Sequence, residues 1–354
     1  MHNVREVDEP TYRIDKTKIK RYDQRRMIFN RATSDPEFQG YSRGEDEAGL
    51  RSIAENKPGY TRIDYALAEA AWTAHDCWTE AFSSERLPRT YGPSLMGTRW
   101  YQEKMTVDDP VEMSRIVKRA AKFYGADLVG VTEYNPLWMQ LNTRRKLEPL
   151  EMPEGVNRVI VCAVEMNEET LSGSPNVIAG AATGFGYSKM AFIGATLAEF
   201  VRNLGYTAIP AGNDVGLSIP EAIDAGLGQL GRNGLLITPE YGSRIRLFKV
   251  YTDLPLATDK PVDFRVPWFC MVCKRCAMAC PIYAISFADE PDWKPACSSS
   301  NPGALKWYID GEKCYEFWLQ NGMDCSNCIT TCPYSASPVH QKPEEFWNSN
   351  VKPE

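Results

Sequence analysis

Cys270-x2-Cys273-x2-Cys276-x3-Cys280-Pro281 and Cys314-x10-Cys325-x2-Cys328-x3-Cys332-Pro333 are the two stretches that decide how this chain is read. Each supplies four thiolates, the number that holds one [4Fe-4S] cluster, so eight of the eleven cysteines are assigned to electron transfer. Structural zinc also takes four thiolates, but commonly as two separated C-x2-C pairs without a further cysteine ahead of proline. Disulfide scaffolds belong to small secreted chains that lack a core, whereas 354 residues with 43% apolar content can bury a large one. Of the other cysteines, Cys162 lies in the apolar run Val159-Ile160-Val161-Cys162-Ala163-Val164 and reads as core packing. Cys77 and Cys297 carry no signal.

In two-cluster ferredoxins the cysteine that precedes proline ligates the other cluster. The expected sets are therefore Cys270, Cys273, Cys276 and Cys332 for one cluster, and Cys280, Cys314, Cys325 and Cys328 for the second. Such an exchange ties both runs into one ferredoxin-like module over 263–335.

A formal charge of -6 argues against a nucleic-acid partner, because phosphate binding draws on clustered Lys and Arg. No apolar stretch approaches the roughly 20 residues that span a bilayer. Arg25-Arg26-Met27-Ile28-Phe29 is like part of a twin-arginine export signal, but polar Asn30-Arg31-Ala32-Thr33-Ser34 follows in place of an apolar segment, and the reading is rejected. An exported protein would have lost its leader.

Residues 1–105 are turn-rich and weakly periodic, with one helix expected at 62–82, and are assigned as an irregular and helical segment covering the central domain. From 106 to 262 the pattern sharpens. Asp109 caps a helix that has Pro110 at its first position and runs to Phe123. Strands are expected at 127–132 and 158–166. The glycine-rich Gly180–Gly186 segment reads as a loop, so the following helix opens near Tyr187, buries Met190, Ile193, Leu197, Val201 and Leu204, and stops at Gly205. A strand at 207–210 leads to a loop holding Asn213. Ser218 and Glu221 match a capping box for a helix over 219–230, and strands follow at 235–238 and 245–252. The expected class is α+β: an α/β layer domain followed by the ferredoxin-like module, with 336–354 as a tail.

Joined to the cysteine runs, Tyr187-Ser-Lys-Met190, Ile209-Pro-Ala-Gly-Asn213, Ala225-Gly-Leu-Gly228 and Thr238-Pro-Glu-Tyr-Gly242 through Arg246 resemble the corrinoid-dependent reductive dehalogenases. The likeness covers about 105–335. It implies a nitroreductase-like corrinoid domain, a base-off corrinoid bound noncovalently, two [4Fe-4S] clusters and an organohalide substrate. By motif position it puts a catalytic Tyr on Tyr187, an Asn on Asn213 and an Arg on Arg246. Replacing carbon-halogen by carbon-hydrogen takes two electrons and a proton; a phenol beside a guanidinium suits the proton, while Arg246 cannot give up its own. A helix N-terminus under Tyr187 would act in the same direction. Gly226, Gly228 and Gly231 are expected to let backbone approach the corrinoid, and Arg232 to meet its phosphate-bearing tail. Trp72, Trp78, Trp100 and Tyr101 are candidates for the pocket wall.

The same likeness implies a low-potential electron donor, a small membrane-anchor protein, a homodimer, and peripheral attachment at the outer face of the cytoplasmic membrane. Two other readings share the cysteine pattern. One is an enzyme similar to epoxyqueuosine reductase, disfavoured by the acidic charge and the short stretch after Cys332. The other is an electron-transfer subunit, disfavoured by the length of chain ahead of Cys270.

Overall fold

The computed structural model describes residues 4–35, 41–78, 104–143 and 146–335. In chain order the elements are β1 (Arg5–Glu6), β2 (Arg13–Ile14), α1 (Ile28–Ser34), α2 (Tyr41–Ala54), α3 (Arg62–Trp78), α4 (Pro110–Phe123), β3 (Leu128–Glu133) and β4 (Arg158–Glu165). Then come α5 (Glu168–Ser172), α6 (Val177–Asn203), β5 (Ala208–Ala211), α7 (Ser218–Asp224), β6 (Gln229–Leu230), β7 (Leu236–Ile237) and β8 (Ile245–Thr252). The cysteine-rich part holds β9 (Val262–Asp263), α8 (Val266–Val272), α9 (Arg275–Met278), β10 (Ala304–Leu305), α10 (Gly311–Asn321) and α11 (Asn327–Thr330).

The central sheet has the order β3-β4-β8-β5, and each neighbouring pair is antiparallel. Alternate residues of a strand face opposite sides, and here both sides are apolar. Ile160, Cys162, Val164, Phe248 and Val250 face α4 and α6. Val159, Val161, Ala163, Ile209 and Tyr251 face α7 and the 139–156 connection. Cys162 is fully buried, and that burial pushes its thiol up, in keeping with packing as its role.

The Asp109 carboxylate accepts from the Val111 and Glu112 amides, as the sequence requires of a cap. The buried stripe of α4 is Met113, Ser114, Val117 and Ala121, and Ile116 on the same helix faces water. In α6 the expected Met190, Ile193, Leu197 and Val201 are all in the core. The helix expected over 219–230 is shorter. It ends at Asp224 because Gly226 turns the chain at a φ of 75°, and β6 follows. Ser218 gives α7 no side-chain cap; its hydroxyl accepts from Lys249 instead.

The N-terminal segment crosses both parts of the molecule. β1 pairs with β9 and β2 with β10, while α3 lies along α6 and α2 against α10. The Arg25-Arg26 pair sits in a short 3-10 turn, and Arg26 donates to the Ser298 and Ser300 carbonyls. The expected 79–82 end of the third helix and the 336–354 tail lie outside the described residues.

Asp109→Ala removes the oxygen that satisfies two amides at the start of α4. Chemical denaturation is expected to show a loss of about 1 kcal/mol; an unchanged midpoint and slope would show that the cap contributes nothing.

Candidate functional site

Tyr187 lies in the middle of α6, not at its start. The helix begins at Val177, where the Asn176 side chain accepts from the Ala179 amide, so the Gly180–Gly186 segment is helical. Its glycines are there for close packing. A Cβ on Gly184 would come within 2.5 Å of the Trp72 indole nitrogen, and one on Gly186 within 3.0 Å of Arg246 Cγ. The helix-dipole contribution expected at Tyr187 therefore disappears, since that effect is confined to the first turn.

The three residues expected together are together. Asn213 Nδ2 donates to the Tyr187 hydroxyl oxygen at 2.6 Å, and Arg246 Nη1 approaches the same oxygen at 3.5 Å. The guanidinium carbon stands 4.8 Å from the Tyr187 ring centroid. β8 supplies Arg246 from the sheet face that packs on α6, and the loop after β5 supplies Asn213. A phenolic oxygen that accepts from two N–H donors keeps its own proton for a third group.

Other contacts had little or no signal in the sequence. Trp72 stacks on Tyr187 with centroids 4.8 Å apart, and His75 meets the same ring edge-on at 5.4 Å. Trp72 was a candidate wall residue; Trp100 and Tyr101, with the side chain of Trp78, lie outside the described residues. Arg246 Nη2 reaches the Thr183 hydroxyl at 3.3 Å, whereas Arg246 Nε is buried without a hydrogen-bond partner among the described residues. Burial pushes the Asp324 carboxyl up, opposed by the Arg246 guanidinium and a Thr183 hydrogen bond.

The cysteines sort into two groups. Cys270 and Cys332 pack together around Phe264 and Val266, and the titratable neighbours of Cys276 are Cys270, Cys332, Arg232 and Cys273. Cys280, Cys314, Cys325 and Cys328 line one cavity of about 300 Å³. Cys328 lies toward the first group as well, with Cys276 among its neighbours. Burial pushes the thiols up, Cys270 and Cys325 to about 11, Cys276 and Cys314 to about 12, with neighbouring thiols adding to the effect. Such thiols become thiolates only when a metal supplies the compensating charge, so both groups fit an iron-sulfur cluster. Arg246 and Asp324 stand in the wall of this cysteine cavity, which joins it to the Tyr187 site.

The expected corrinoid contacts are placed differently. Arg232 is 1% exposed and its guanidinium donates to the carbonyls of Cys270, Ser286 and Ala288, with Trp307 under it at 4.5 Å. Those bonds anchor the ferredoxin-like module and turn the side chain away from any phosphate. The glycines answer to the protein's own backbone: a Cβ on Gly226 would lie 2.4 Å from the Lys260 carbonyl oxygen, and one on Gly228 2.1 Å from that of Ile237. Gly231 is crowded by Ile237 and Asn233 in the same way. A second cavity of about 260 Å³, lined by Leu217, Ile219, Ile223, Ala304 and Lys306, shares Gly234 with the cysteine cavity. This mainly apolar hollow beside the Asn213 loop can take part of a bulky cofactor, which the glycine turns, filled by the protein's own backbone, cannot; Arg246 stands instead in the wall of the cysteine cavity.

Residues 269–336 match the model of the 4Fe-4S dicluster domain. The tetrachloroethene reductive dehalogenase of Desulfitobacterium hafniense is 40% identical over 281 residues, covering 68% of this chain and 50% of that protein. The protein of the same name from Sulfurospirillum multivorans is 33% identical over 373 residues, covering 91% and 74%. Among solved structures, a reductive dehalogenase described as suggesting a mechanism for B12-dependent dehalogenation aligns with a TM-score of 0.73 at 24% identity, covering 97% of this chain and 47% of that one. The fold is thus that of a known enzyme group, and the chain spans about half the length of the first of these relatives.

Crossed ligation makes Cys280→Ser damage the cluster held mainly by the second run, and Cys332→Ser the one held mainly by the first. Cluster-resolved EPR is expected to report that pattern. Damage confined to the mutated cysteine's own run would mean that the runs are not exchanged.

Proposed function

Because the chain belongs to the reductive dehalogenase family, we propose that it replaces a carbon-halogen bond by carbon-hydrogen, with Tyr187 as the proton donor. The balance is one organohalide, two electrons and one proton giving the hydrocarbon and a halide ion. The observation that carries this reading is the pair of N–H donors, Asn213 Nδ2 and Arg246 Nη1, on the Tyr187 hydroxyl oxygen. Donors aimed at an oxygen favour the charge that develops there as its proton leaves for carbon. The structural alternatives, an aromatic packing residue, a turn asparagine and a solvated arginine, give no reason for all three to meet at one atom.

A base-off corrinoid, when bound, supplies a cobalt centre that passes electrons to the carbon-halogen bond. Leu217, Ile219, Gly234 and Ala304 would line part of its apolar surface, with Lys306 as the polar contact. Trp72, stacked on Tyr187, keeps water from one face of the phenol and holds its ring orientation. The cysteine group that shares its cavity with Arg246 is the inner electron relay, and the Cys270 group takes electrons from a low-potential donor. The relatives' name makes a chlorinated ethene the first substrate to assay. A small membrane-anchor protein, a second copy of the chain and the outer face of the cytoplasmic membrane complete the reading; among the described residues no helix is long and apolar enough to cross a membrane.

Anaerobically purified, corrinoid-loaded protein is expected to hold about eight iron atoms and about one cobalt per chain. Zinc in place of iron would end the cluster assignment, and iron without cobalt would favour an electron-transfer subunit.

Tyr187→Phe removes one acidic hydroxyl and almost no volume. Dehalogenation by protein of verified metal content is expected to fall by roughly 10²- to 10⁴-fold, the usual contribution of general acid catalysis. Arg246→Lys is expected to lose much of its activity too, since an ammonium cannot replace a planar fork lying over the ring. Near-normal turnover by Tyr187→Phe would exclude the phenol as the acid.

A further inference from the structure

Lys249 is completely buried on β8, and its ammonium donates to the carbonyls of Gly212 at 2.6 Å and Gly216 at 2.9 Å and to the Ser218 hydroxyl at 2.9 Å. Those three acceptors bracket Asn213. The loop needs outside support, because Val215, a β-branched residue, adopts a φ of 76°. Gln140 supplies part of it, its side-chain amide donating to the Asn213 carbonyl and its backbone N–H to that of Val215. The charge beneath Lys249 is equally deliberate. Glu221, 1% exposed, stands 4.0 Å away and accepts from the Tyr251 hydroxyl at 2.8 Å, and the buried Asp214 adds a second carboxylate. Burial pushes Lys249 down and Glu221 up to about 7, opposed by their mutual attraction and, at Lys249, by Asp214; three oxygen acceptors replace the hydration of the ammonium.

We propose that Lys249 is a positioning residue for dehalogenation: its buried ammonium clamps the 212–218 loop and so sets the Asn213 amide against the Tyr187 hydroxyl. Lys249 and Arg246 leave opposite faces of the same strand, so one element fixes both donors on the phenol, one directly and one through the loop. The inference rests on the reading of Tyr187 and Asn213 as the acid site.

Its test is a double-mutant cycle on corrinoid-loaded protein of verified iron and cobalt content, with Lys249→Met and Asn213→Ala alone and combined. A displacement of about 1 Å at a reacting group costs up to about 10²-fold, and a loss of that order in kcat is expected for Lys249→Met. The same substitution in the Asn213→Ala background is expected to cost almost nothing, because the amide it positions is gone. Additive losses would overturn the positioning role, whereas full turnover by Asn213→Ala would overturn the acid site itself. Hydrogen exchange supplies a readout free of turnover: the amides of 212–217 are expected to lose protection in Lys249→Met while β3 and β4 keep theirs. Unchanged protection in the loop would sink the proposal. Should Lys249→Met fail to fold, Ser218→Ala deletes a single acceptor; a smaller loss that vanishes in the Asn213→Ala background supports the clamp, and one that persists there overturns it.

Discussion

Removing an ammonium ion from water costs several kcal/mol unless oxygen atoms replace its hydration and a negative charge stands near. Lys249 meets both conditions at the centre of the sheet, and much of the site geometry follows from it. β8 is paired on both edges and covered on both faces, so a charged side chain on it has nowhere to go but into a prepared set of partners. On one face those partners are the loop carbonyls beside Asn213; on the other Arg246 meets the phenol, Thr183 and the wall of the cysteine cavity. Period-two alternation, elsewhere a device for separating core from solvent, here divides one strand between the two sides of a single site.

The same electrostatic logic runs through the cysteines. Burial makes ionisation of Cys270, Cys276, Cys314, Cys325, Cys328 and Cys332 unfavourable. Arg232, beside the first group, spends its donors on carbonyls that hold Cys270 and the 286–288 turn in place. The positive charge has to come from iron, which couples the folding of the ferredoxin-like module to metal loading.

Much of this was legible in the chain. The two cysteine runs and the Asp109-Pro110 helix start carry local signals strong enough to survive tertiary packing. The Tyr187, Asn213 and Arg246 trio was legible only through family phrases, since nothing local separates a catalytic tyrosine from a packing one. What the sequence hid was set by neighbours distant along the chain. Gly180–Gly186 reads as a loop by propensity, yet it is helix, because Trp72, Arg246 and Met323 occupy the space that side chains there would fill. Arg232 reads as an anion ligand until its carbonyl partners are known. Glycine and buried charge are where local rules yield to packing, and that is where the reading failed.

The pairing of β1 with β9 and of β2 with β10 has a consequence for the order of assembly. Arg5 lies opposite Asp263 and Arg13 opposite Leu305, so these residues find their partners only after the cysteine-rich part, far along the chain, has been made. Until then the segment is a loose end, and the α7 side of the sheet, where Tyr12 later packs against Trp138, stays open. The apolar hollow lined by Tyr12, Ile14 and Ile19 is therefore completed last. A group seated in that hollow would leave only by breaking the N-terminal strap, which would make its retention a matter of kinetics as much as of affinity.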